Sequence, residues 1–353
     1  MQPIFIDPSQ QKALETDGFV KINVLDNVQV ETLFNYYQSL GLQDEMGYGF
    51  HISLNQTDKA LVENINAKIY EIALPALKPL FQNAKAFTAS FVIKDPNSKG
   101  VVPVHQDWTF VADEQNHCSL TCWIPLVDVD MNNGALGVIR GSHRFLDHTR
   151  PSPSPHVPTP IGKHMFSIFP YVEIIEMKAG EALIFDNRLF HASPPNTTAH
   201  SRIAVGVGIT QQEAELRHHF LKPNGQKDTL MSYAVDESFY LKYDNSQLAS
   251  FYENGQSIPG YELLGEKPYN FQELEQDALL EQIKAAGNSI NEKLILKLAK
   301  LFDYNLDGTK KQEEEVAFSQ TEVIENRPFW QIYTPLNIIR EIRYRLSRLG
   351  SSN

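Results

Sequence analysis

Between Ala86 and Thr210 the chain offers one short β-prone run after another, and this stretch most constrains the fold. FTASFVIK, VPVHQDWTFV, CSLTCWIPLVDV, GALGVIRGS, VEIIEMKAG, EALIFDN and RIAVGVGIT are rich in branched and aromatic residues, with Gly, Pro and Asn between them. Such spacing predicts an antiparallel sandwich or barrel, not alternating βαβ units. One interruption stands out: His148 to Pro170 contains PSPSPHVPTP, which cannot pair in a sheet and predicts a semi-rigid extended connection. It is either a surface link or a flap over the mouth of a site.

The flanks differ in character. DGFVKINVL (Asp17 to Leu25) alternates like a strand, and Asp26 to Leu40 has helical spacing with Asp26 or Asn27 as N-cap. Asp58 to Phe81 is a second helical region, with Pro75 and Pro79 expected to break its latter half. After Gln212 the pattern turns helical and more charged. Ser289 and Glu292 stand in capping-box spacing ahead of a helix to Phe302, and Leu336 to Leu349 forms a basic amphipathic helix expected to pack on the core. In 353 residues this suggests a core over 1–215 and a helix-rich extension over 216–353 packed against it.

Composition excludes some classes. A net charge of -12 disfavours non-specific nucleic-acid binding while allowing a local basic pocket for a small anion. Cys118 and Cys122 are the only cysteines and lie in a strand-like run, so no disulfide framework is expected. No signal-like N-terminus or membrane-length apolar run is seen, and a soluble cytoplasmic protein is the expectation.

The chemistry concentrates in three residues. His105 and Asp107 are two apart in a predicted strand, so both project to one face. His191 follows the strand ALIFDN, and in a closed antiparallel barrel it can meet them. Two histidines and a carboxylate on one face of a metal, with other positions open, mark non-haem Fe(II) oxygenases. The plainer reading is a half-buried histidine bonded to a carboxylate. Arg202 opens the apolar run IAVGVGI, so its guanidinium needs an anion, either a ligand carboxylate or a structural Asp or Glu.

VHQDWTFV, CWIPLVDVDMNNGALGVIRGSHR and KAGEALIFDNRLFHASPPNTTAHSRIAV resemble the phytanoyl-CoA dioxygenase family. The resemblance implies a mainly β core, a double-stranded β-helix of jelly-roll or cupin-like type, with flanking N-terminal helices. It implies an Fe(II)- and 2-oxoglutarate-dependent dioxygenase using O2, with ascorbate in support, that hydroxylates an unactivated C–H bond and releases succinate and CO2. His105, Asp107 and His191 would be the iron ligands. Arg202 would take the distal carboxylate of 2-oxoglutarate, helped by the Ser193 hydroxyl, and Trp123 would line that pocket. Gly134 and Gly141 would serve backbone geometry, and His143 a supporting role. Related halogenases lack the carboxylate that Asp107 supplies, so hydroxylation is favoured.

Other residues are weighed from the sequence itself. Lys94 either contacts cosubstrate or an anionic substrate or is simply solvated, and Trp108 either lines the substrate cavity or belongs to the core. Asp303 to Glu314 follows an EF-hand pattern, but Lys310 stands where an apolar residue belongs and no second loop pairs with it. The expected partner is a small or medium organic substrate, with no nucleic acid or membrane; monomer and homodimer stay open. Alternatives are a redox-neutral cupin-like metalloenzyme, or a non-catalytic relic that binds a metabolite.

Overall fold

In the computed structural model, residues 2–42, 48–98, 100–225, 227–271 and 273–301 are described. The strand-rich stretch forms two antiparallel sheets. Six strands make the larger one: β1 (Phe19–Asn23), β2 (Phe50–Ile52), β3 (Ala84–Lys94), β5 (Ser119–Pro125), β8 (Glu181–Asp186) and β10 (Arg202–Gln211). Their order is β1-β8-β5-β10-β3-β2. The smaller sheet joins β4 (Val102–His105), β6 (Gly137–Val138), β7 (Glu173–Ile174) and β9 (His191–Ser193) in the order β4-β9-β6-β7. From β3 to β10 the chain steps back and forth between the sheets, the winding of a double-stranded β-helix.

Alternation decides what faces inward. On β10, Ile203, Val205, Val207 and Ile209 join Phe91 and Ile93 of β3 and Cys122 and Ile124 of β5 in one buried cluster. Helices α2 (Asn27–Leu40) and α3 (Lys59–Leu77) cover it with Leu33, Ile65, Ile69, Ala73 and Leu77. Each such side chain contributes on the order of 1.5–3 kcal/mol by leaving water. The opposite parity on these strands, Arg202, Ala204, Trp123, Leu183 and Phe185, is turned to the interior between the sheets. The smaller sheet obeys the same rule. Val104, Phe190 and Ala192 pack outward against Leu279 and Ile283 of α6 (Gln276–Ala285) and Leu294 and Leu298 of α7 (Glu292–Leu301). That packing turns His105 and His191 inward.

Several local expectations need correction. Asp26 caps α2 in a full capping box, but α3 runs through Pro75 to Leu77 instead of breaking. Pro75 is exposed near the helix end, where the ring meets solvent and only one ladder bond is lost. Leu294 N–H is taken by the Asn291 side chain, so Asn291 and not Ser289 caps α7. The region after Gln212 is not helical at first. β11 (Arg217–Leu221), β12 (Thr229–Ala234) and β13 (Glu262–Pro268) form a third antiparallel sheet, joined by the short helices α4 (Glu237–Lys242) and α5 (Asn245–Glu253). The EF-hand-like loop and the basic helix over 336–349 lie outside the described residues.

The extension is stitched to the proline-rich segment. Ser152 N–H donates to the His219 carbonyl at 2.9 Å, and Leu221 N–H to the Ser152 carbonyl at 2.8 Å. Asn245 exchanges bonds with the main chain of Ser154 at 3.0 and 2.8 Å. Further on, the Tyr269 hydroxyl donates to the Pro158 carbonyl at 2.7 Å. The segment is thus anchored along its length. Cys118 and Cys122 are both free and buried. No described helix is long and apolar enough to cross a membrane.

Candidate active site

His105 ends β4 and His191 begins β9, and the two are register partners across the strand pair. Their rings lie 4.1 Å apart between centroids. Asp107 follows just beyond the strand, with its Oδ1 3.7 Å from His191 Nε2. One ligand atom from each of the three lies within 4.8 Å of the others.

Each group is held in the state a metal requires. His105 Nδ1 lies 2.8 Å from the Pro103 carbonyl and His191 Nδ1 3.0 Å from the Leu189 carbonyl. A carbonyl only accepts, so each Nδ1 carries the proton and each Nε2 keeps its lone pair. Burial and the neighbouring His191 push His105 down to about 4, so its imidazole is neutral at pH 7. Asp107 Oδ2 accepts from Asn187 Nδ2 at 2.7 Å and from the Thr121 hydroxyl at 3.3 Å. Asn187 is itself fixed, since the same Nδ2 reaches Thr121 Oγ1 at 2.7 Å. These bonds leave Oδ1 toward the histidines. The donor set of two imidazole nitrogens and one carboxylate oxygen fits a divalent metal of the first transition row.

Arg202 stands at the start of β10, 2% exposed. Nη1 donates to the Val92 carbonyl at 3.0 Å, and its guanidinium lies 5.3 Å from the Trp123 ring centre. Nε is buried without a partner, and among the described residues no carboxylate pairs with this cation. Burial alone pushes Arg202 down to about 9. A structural ion pair is thereby ruled out among the described residues, and the guanidinium remains open to an anion. Trp123 lies on the same inward face with Nε1 also buried and unpartnered. Ser193 follows His191 by two residues on β9, on the same face and 3% exposed.

Two other candidates are placed differently. Lys94 is fully buried, and its ammonium donates to the carbonyls of Gly100 at 2.7 Å, Ser193 at 3.3 Å and Pro194 at 2.7 Å. All three protons are used, so Lys94 is neither solvated nor free for a substrate: it ties β3 to the end of β9. Gly134 makes room for it. At φ +83 a Cβ there would stand 2.7 Å from Lys94 Cδ and 2.8 Å from the Pro194 carbonyl. Trp108 is half-buried, edge-on to His218 at 5.1 Å and 6.3 Å from Phe110, within an aromatic cluster that includes Phe87, Phe239 and Tyr240. Gly141 has φ +76. His143 sends Nε2 to the Glu15 carbonyl at 3.2 Å and is not part of the cluster of His105, Asp107 and His191.

Sequence reasoning missed the groups that hold Asp107. Thr121 lies on β5 and Asn187 in the turn just after β8, and only the DN step ending ALIFDN hinted at the second.

Residues 49–204 match the family model described as phytanoyl-CoA dioxygenase (PhyH). A phytanoyl-CoA dioxygenase of Arabidopsis thaliana is 30% identical over 135 residues, covering 35% of this chain and 43% of that protein. Phytanoyl-CoA dioxygenase 1 of Oryza sativa subsp. japonica is 25% identical over 147 residues, covering 38% of this chain and 47% of that protein. The chain thus spans less than half the length of these curated relatives. Among solved structures, HygX from Streptomyces hygroscopicus with nickel and 2-oxoglutarate bound is 14% identical, with a TM-score of 0.42 over 59% of this chain and 88% of that one.

Proposed function

We propose, from the match of residues 49–204 to the PhyH family model and from the site geometry, that the chain is an Fe(II)- and 2-oxoglutarate-dependent dioxygenase. The reaction joins a small or medium organic substrate, 2-oxoglutarate and O2 and yields a hydroxylated product, succinate and CO2. Iron with these cosubstrates supplies an oxidant able to attack an unactivated C–H bond.

The protein's own contribution is positional. His105 and His191 offer Nε2 because their Nδ1 protons are donated to main-chain carbonyls. Asp107 offers one oxygen while Asn187 and Thr121 hold the other. His105, Asp107 and His191 would hold the iron from one side and leave room there for 2-oxoglutarate and O2. Arg202 fixes the far carboxylate of that keto acid by a two-point contact, with Trp123 and Ser193 beside it.

The observation that carries the reading is the buried Arg202, with no carboxylate partner among the described residues and its Nε unpaired, on the same inward face as Trp123. A redox-neutral metalloenzyme on the same scaffold needs no buried cation facing the site. Asp107 keeps the carboxylate whose loss would admit a halide, which favours hydroxylation.

The test measures succinate formed from 2-oxoglutarate with Fe(II), ascorbate and O2, alone and across a panel of organic substrates. Wild type should turn over and Asp107→Ala should not. Absence of both turnover and 2-oxoglutarate binding in wild type overturns the proposal.

A further inference from the structure

His105 and His191 are located by the β4–β9 ladder, but Asp107 is not. It lies past the end of β4, and before Ser119 the described chain pairs with a strand only at the isolated bridge of Val111 to Leu216, four residues further on. Something other than a sheet must set its position.

Arg150, at the head of the proline-rich segment and 6% exposed, supplies that grip. Its Nε donates to the Asp107 carbonyl at 2.7 Å. Nη1 donates to Glu114 Oε2 and to the His148 carbonyl, each at 3.2 Å, and Nη2 donates to Glu114 Oε1. The backbones interlock as well: Thr109 N–H donates to the Arg150 carbonyl at 2.9 Å, and Arg150 N–H to Thr109 Oγ1 at 3.0 Å. Thr109 Oγ1 in turn donates to Glu114 Oε2 at 3.2 Å. On the other side of the same residue, Asp107 N–H donates to the Asn187 carbonyl at 2.9 Å. Asp107 is therefore held at its N–H, at its carbonyl and at one carboxylate oxygen.

We infer that Arg150, paired with Glu114, is a positioning residue for Asp107, fixing the main chain from which Asn187 and Thr121 then orient the carboxylate. The inference rests on the reading of His105, Asp107 and His191 as a metal site. Its chemistry calls for a guanidinium. The planar fork spans the carbonyl and the carboxylate together, whereas one ammonium cannot satisfy the same set in the same directions. Glu114 balances the buried charge, so the knot is neutral as a whole. Ser152, two residues on, is bonded to the main chain of β11. The C-terminal extension thereby bears on the ligand through Arg150.

The test is an anaerobic Co(II) titration of the full chain, read by the visible absorption of the bound ion and by its Kd. It compares wild type, Asp107→Ala, Arg150→Met, Arg150→Lys and Glu114→Gln. Arg140→Met is the control, since Arg140 pairs with Asp17 and Glu173 at the surface. Arg150→Met should bind Co(II) about ten- to a hundredfold more weakly, the usual effect of losing a residue that orients a ligand. Its spectrum should shift toward that of Asp107→Ala, and Arg150→Lys should fall between. A purely structural role would lower the melting temperature and leave the spectrum of the loaded protein unchanged.

Wild-type spectrum with a Kd within twofold of wild type in Arg150→Met overturns the inference. If that variant does not fold, the same result in both Arg150→Lys and Glu114→Gln overturns it. Failure of the underlying reading looks different: wild type would not bind Co(II), or Asp107→Ala would bind it equally well.

Discussion

Replacing Arg202 by methionine should make the ligand-free protein more stable and blind to 2-oxoglutarate. Burial pushes this guanidinium well below its ordinary value, down to about 9. At 1.36 kcal/mol per pH unit, that is a burial cost of roughly 5 kcal/mol. Because the folded value is depressed, the cost is present at every pH below about 9 and is relieved only as pH rises toward the ordinary guanidinium value. Methionine keeps most of the apolar stem and forfeits the bond to the Val92 carbonyl, a loss of about 1 kcal/mol. The net gain is about 4 kcal/mol, or at about 2 °C per kcal/mol for a chain this long, an increase of roughly 8 °C in Tm. The assay is thermal unfolding of metal-loaded protein without oxygen, with and without the dicarboxylate. At a hundred times its Kd, 2-oxoglutarate should stabilise wild type by about 2.7 kcal/mol and the variant not at all. A variant that melts several degrees below wild type, or that keeps the full 2-oxoglutarate shift, refutes the argument that Arg202 is an unbalanced cation awaiting a ligand.

Lys94→Met should do the reverse. It strips the donor from the carbonyls of Gly100, Ser193 and Pro194 and should cost about 3–5 kcal/mol in urea unfolding; an unchanged midpoint would sink the strut. A third expectation concerns acid. Burial pushes His218 and His148 down to about 3, so both are neutral when folded and take up a proton on unfolding. Their contribution is fully present above pH 6.5 and drains away toward pH 3, about 3 kcal/mol for each at pH 4. Melting temperature followed from pH 7 to 4 should fall less steeply in His218→Phe than in wild type, and parallel curves would count against the assignment.

How much was legible follows from where each contact originates. His105 and His191 could be read because strand alternation alone turns them inward, and their neighbours Val104, Phe190 and Ala192 are visibly apolar. Arg202 could be read as a buried cation, but whether an acid met it depended on the fold. The supports of Asp107 were invisible because they come from Thr121, Arg150 and Asn187, remote in sequence and individually ordinary. Lys94 misled for the opposite reason. A lysine at a strand end suggests solvent, and only the closed barrel brings three carbonyls onto its ammonium. β11 escaped notice because four of its five residues are buried. RHHFL therefore lacks the alternation that marks a half-exposed strand, and its histidines disguise an apolar environment.

The pairing of His105 with His191 across β4 and β9 has a bearing on assembly. A slip of one residue between these strands would carry one imidazole to the outer face, among the side chains facing α6 and α7. Only the correctly registered pair offers both nitrogens to one ion. If the proposed metal arrived during folding, it would reward a single alignment of two segments far apart in sequence, and would act as a proofreader of the barrel's closure before it served any chemistry.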